Sequence, residues 1–91
     1  MAAQEILADF IAATGTDLQG LRAALQQRDA AATGRQGHRI KGSAAIIGAR
    51  DQAGRAARLE ALAQAGTMDW DAAQQLVTEM EAALKELKLA P

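Results

Sequence analysis

Apolar residues recur along almost the whole chain at spacings of three and four, the period of a helix face, rather than alternating as in a strand. Leu7, Phe10 and Ile11 form a short stripe that predicts a first helix of about three turns. It should end near Thr14-Gly15, where glycine suits a left-handed cap. Thr16 or Asp17 then caps a second helix with Leu18, Leu21 and Leu25 inward and Ala24 between them. The pattern weakens toward Thr33, which places a break near Arg28 to Ala30. A third helix is expected over roughly Ala31 to Ala49, closing at Gly48. Asp51 opens a fourth, with Ala56, Leu59, Leu62 and Ala63 inward and its end at Gly66. Asp69 opens a fifth, whose Ala73, Leu76, Val77, Met80, Leu84 and Leu87 make the cleanest stripe in the chain.

These elements predict an all-α fold: an antiparallel four-helix bundle with a short additional N-terminal helix lying as a lid over one end, a single helical domain over residues 1–91. Composition agrees, because Ala, Leu, Gln, Glu, Arg and Lys dominate and the only proline is Pro91. Cysteine is absent and there is one histidine, so neither disulfides nor a usual zinc ligand set can staple the domain, and no metal is expected. Only Phe10 and Trp70 are aromatic, which leaves no stacking platform for single-stranded nucleic acid. Glu5 and Asp9 interrupt the N-terminal apolar residues, unlike a signal peptide, and no run approaches a membrane span. A cytoplasmic module without membrane contact is expected.

The third helix carries the unusual chemistry. With about 100° per residue and His38 at zero, Gly34, Gly42, Ala45 and Ala49 fall within about 40° of the histidine. Ile40 and Ile47 fall at about 200° and 180°, on the opposite side. Burying the isoleucines therefore turns His38 outward, amid a stripe of very small residues flanked by Arg35 and Lys41. Most single histidines are ordinary surface or core residues. Here the alternative orientation would leave two isoleucines in water, a loss of about 2 to 3 kcal/mol each. Charge is segregated as well: between Arg35 and Arg58 lie six basic residues and one acidic residue, Asp51, although the net charge is −1. Such charges are usually just solvated helix faces. Coinciding with a cleared stripe, they suit an acidic or phosphorylated partner.

The run from His38 through Lys41-Gly42 to Gly48-Ala49 resembles the signature H-x-x-K-G-x-x-x-x-x-G-A of histidine-containing phosphotransfer domains, most of all those at the C-terminal end of hybrid sensor histidine kinases. Leu18, Leu21, Leu25 and Asp29 upstream, and Leu59-Glu60 and Gly66 downstream, extend the resemblance over most of the chain. Gly37 departs from it, standing where alanine is common, and so does Gln52, where a leucine usually begins the fourth helix. The resemblance implies that His38 accepts a phosphoryl group, that Lys41 neutralises its charge, and that Gly42 clears room for the partner. Gly34 is expected to act like Gly42. Glu60 stands where the family often carries Gln or Glu, and its expected role is to orient the imidazole.

Neutral imidazole is a good nucleophile near neutral pH, and an exposed ring can enter another protein's acidic pocket. The expected activity is a phosphorelay: His38 takes a phosphoryl group from the phospho-aspartate of a response-regulator receiver domain and passes it to another receiver. Magnesium is expected on the receiver, and no cofactor on this chain. No phosphate-binding loop is present, so ATP-dependent autophosphorylation is not expected and the chain is not itself an enzyme, although it can be part of a larger kinase. Ser43 lies about 140° from His38, which argues against a hydrolase pair. The competing reading is a non-catalytic helical module that docks a partner on the same small-residue face. Duplex DNA binding through the basic zone is a weaker third. A monomer is expected, because the wheel shows no exposed aliphatic face.

Overall fold

The computed structural model describes residues 3–89. It contains four helices, α1 (Ala3–Gln26), α2 (Ala30–Ile47), α3 (Arg50–Gln64) and α4 (Trp70–Leu89), and no strand among the described residues. Each helix packs on two others, in the order α1, α2, α3, α4 and back to α1. Short links make successive helices antiparallel, so the all-α four-helix bundle stands.

The separate N-terminal helix does not. The chain runs through Thr14-Gly15 without a break, and among the described residues no short element lies across the end of the bundle. Phe10, Thr14, Leu18, Leu21 and Leu25 are all buried and form one continuous stripe facing the core. A glycine inside a helix costs only about 0.5 to 1 kcal/mol, less than the burial that a break in this stripe would sacrifice. Neither expected cap acts as one: Thr16 Oγ1 donates back to the Ala12 carbonyl at 3.2 Å, and Asp17 is buried in mid-helix.

The real breaks carry specific turn chemistry. Arg28 adopts a left-handed conformation with φ 54°, and the Asp29 N–H returns to the Ala24 carbonyl at 2.9 Å, closing α1. Asp29 then caps α2 by accepting the Ala32 N–H at 3.0 Å, and Gly48, at φ 78°, ends that helix. Asp69 caps α4 in the expected way, accepting from Ala72 N–H at 3.0 Å. Asp51 does not cap α3. That helix already starts at Arg50, and Asp51 lies in its first turn, where a carboxylate favours the helix dipole.

Leu21, Ile40, Leu59, Val77 and Met80, drawn from all four helices, form the centre of the core. Gln52, the departure from leucine, is buried there too. Its amide nitrogen donates to the Met80 carbonyl at 3.0 Å, tying α3 to α4, and its oxygen accepts from Arg55 at 3.2 Å.

On the α1–α4 side, Arg22 grips Glu81 bidentately through one guanidinium edge, Nε and Nη2 donating to its two oxygens at 3.0 and 2.7 Å. This hydrogen bonding holds the Glu81 carboxyl below its ordinary range. A carboxyl depressed in the folded state stabilises fully above its unfolded value of about 4.3 and loses that contribution as pH falls through the folded value. Glu81→Gln is therefore expected to lower the urea midpoint near pH 7, with the difference from wild type shrinking below about pH 4. A difference that grows on acidification would contradict this assignment.

Candidate functional site

His38 sits on the solvent side of α2, with 68% of its side chain exposed, while Ile40 on the opposite side of the same helix is fully buried. The helical wheel thus correctly orients the ring. Ile47 is partly buried against the core.

Opposite the histidine, Glu60 on α3 joins the two residues of the motif. Its Oε2 lies 2.8 Å from His38 Nδ1, and its Oε1 accepts from Lys41 Nζ at 2.5 Å. An ionised carboxylate only accepts hydrogen bonds, so the shared proton belongs to Nδ1. In the neutral form of the ring, Nε2 is then the nitrogen that carries the lone pair. The hydrogen bond from Lys41, seconded by that from His38, holds the Glu60 carboxyl below the usual carboxylate range, with partial burial opposing.

The glycines of α2 divide into two kinds. A Cβ at Gly42 would meet nothing within 4 Å, so the surface one turn beyond His38 is open. A Cβ at Gly34 would lie 3.1 Å from Ala63 Cβ, and one at Gly37 would lie 3.3 Å from the Ala56 carbonyl and 3.5 Å from the Glu60 nitrogen. Gly34 therefore serves the seam between α2 and α3 and not a partner's approach, correcting the expectation that it acts like Gly42. Gly37, which the motif leaves unexplained, gains a physical role: it lets the backbone of α3 lie against α2 at Glu60.

Basic residues surround the imidazole. Arg39 reaches Asp17 on α1 at 3.5 Å, Lys41 is engaged by Glu60, and Arg35 makes no ion pair among the described residues. Arg35, Arg39, His38 and Glu60 line a shallow groove that continues over Gly34 and Ala63. Beyond Gly42, Ile46 is 85% exposed and adjoins the exposed Ile6 and Leu7 of α1. An exposed aliphatic patch therefore does exist, and the ground on which a monomer was expected fails. At about 80° from His38, Ile46 falls between the two faces of the wheel, so periodicity alone could not assign it.

A four-helix bundle that offers a single imidazole outward from the middle of a helix has the architecture of the histidine phosphotransfer class. The family model described as Hpt domain matches residues 5–90, and the chain belongs to that family. It is thus a phosphorelay module of two-component signalling, of a kind that interacts with receiver domains and has no kinase ATP site. None of the curated proteins or solved structures is significantly similar to it. No helix among the described residues is long and apolar enough to cross a membrane.

Proposed function

We propose that His38 is the phosphoacceptor and that Nε2 attacks the phosphorus of a receiver's phospho-aspartate. The aspartate carboxylate departs with the electron pair of its bond to phosphorus, and the reverse reaction loads a second receiver. The observation that carries this reading is the ring's placement: exposed, with Nδ1 engaged by Glu60 and Nε2 left free. Phosphoryl transfer depends mostly on alignment and charge neutralisation, which this surface can offer. Lys41, one turn from His38, neutralises the transferred group once its ammonium turns from Glu60 toward phosphate. Gly42 leaves clearance for the receiver, and the receiver supplies magnesium.

The reading is tested by incubating the chain with a phosphorylated receiver and magnesium and following the label. Acid-labile, alkali-stable phosphate should move onto this chain and then onto a fresh receiver. Label that stays on the receiver, or leaves only as inorganic phosphate, would refute the relay.

The apolar patch favours a docking contribution separate from chemistry. Ile46 lies about 12 Å along α2 from His38, within the footprint of a small domain. Ile46→Ser is expected to change stability by less than about 0.5 kcal/mol, since the side chain is in water. Receiver affinity should fall about fivefold, as the loss of about 1 kcal/mol of interface burial gives. Titration calorimetry and urea melts of the same variant separate these effects, and unchanged affinity would remove Ile46 from the interface. A non-catalytic docking module would show this affinity loss and no movement of phosphate.

A further inference from the structure

Glu60 contributes more than a hydrogen bond that orients a ring. Once Nε2 bears a phosphoryl group, a proton retained on Nδ1 gives the ring a positive charge, and that charge faces a carboxylate whose Oε2 is 2.8 Å away. From the reading of His38 as phosphoacceptor, we infer that the negative charge of Glu60 keeps the phosphorylated ring protonated at Nδ1 and so makes phospho-His38 an activated, short-lived phosphoryl donor.

The electron balance gives the reason. When the N–P bond breaks, its electron pair returns to Nε2 while an oxygen of the acceptor, an aspartate carboxylate or water, bonds to phosphorus. If Nδ1 keeps its proton, the leaving group is neutral imidazole. If Nδ1 has lost it, the leaving group is an imidazolate anion, which is far poorer. Whatever holds the Nδ1 proton therefore sets the donor strength.

The surroundings make Glu60 the group that decides. On α2, Arg35, Arg39 and Lys41 are cations around the ring and oppose a positive imidazole; on α1, Asp17 is turned to Arg39 at 3.5 Å. On α3, Glu60 is the carboxylate in contact with the ring, and its side chain is only 17% exposed, so water screens it less than a free surface charge. Its low proton affinity keeps it ionised across the physiological range. The same carboxylate also holds Lys41, so it balances the cation that will face the phosphoryl oxygens.

The test uses small donors and needs no receiver. Wild type, Glu60→Gln and Glu60→Ala are phosphorylated with phosphoramidate, the Nε2 adduct is identified by phosphorus NMR, and its loss to water is timed from about pH 6 to 9. Wild type should lose its phosphoryl group rapidly up to a higher pH than either variant. An acid-ward displacement of one pH unit would lengthen the adduct's lifetime about tenfold above the midpoint, because the protonated fraction falls about tenfold there. A structural role would change labelling yield or helicity and leave that pH profile in place. Coincident profiles for all three proteins, or longer lifetimes in wild type, would overturn the inference. Failure of wild type to form any adduct at His38 would instead overturn the phosphoacceptor reading.

Discussion

His38→Gln is expected to abolish phosphoryl incorporation completely while the protein still folds and still binds its receiver. Glutamine offers no ring nitrogen, and neither of its amide atoms forms a stable bond to phosphorus under these conditions. The stability cost should stay below about 0.5 kcal/mol, because the ring is mostly in water and the core residues of α2 point the other way. Glutamine can even maintain a hydrogen bond with Glu60 through its amide N–H. Circular dichroism, receiver binding and acid-labile label measured on one preparation give three independent readouts. Persistence of label at wild-type levels would move the acceptor elsewhere, and loss of binding along with label would mean that the imidazole is itself a docking contact.

The second large effect concerns Gly42, where stability and function should move in opposite directions. The position is exposed in mid-helix and a Cβ there meets nothing, so Gly42→Ala should stabilise the protein by about 0.5 to 1 kcal/mol. In a domain of this size that raises the melting temperature by about 2 to 8 °C. Gly42→Leu keeps much of this gain but puts a large side chain where a receiver must approach within bonding distance of His38. Misplacing reacting atoms by about 1 Å can cost about a hundredfold in rate, and a drop of at least that size is expected for transfer from a phosphorylated receiver. Labelling by phosphoramidate, a donor too small to clash, should be nearly unchanged. A receiver that transfers normally to Gly42→Leu would show that the open surface is not the docking face.

The contrast with Gly34 and Gly37 shows where reading the chain alone stops. All three are glycines within one helix, and the wheel groups Gly34 with Gly42. Only the position of α3 separates them, since Ala63 and the Ala56–Glu60 backbone stand against the first two and nothing stands against the third. The same holds for Glu60, which is 22 residues from His38 and reaches it from the adjacent helix, α3. A motif alignment can suggest it, but no local period can place its carboxylate between an imidazole and an ammonium.

What the sequence determines by itself is local: three- and four-residue spacing, the capping chemistry of Asp69, the left-handed close at Gly48, and the opposition of Ile40 to His38 that turns the imidazole outward. These follow from helix geometry and from the cost of leaving branched aliphatics in water. The tertiary structure decides the continuity of α1 through Gly15, the division of labour among the glycines, the exposure of Ile46 and the partner of Nδ1. Each of these depends on which helix lies opposite and how closely it packs, a long-range balance of burial against small local penalties that no single segment encodes.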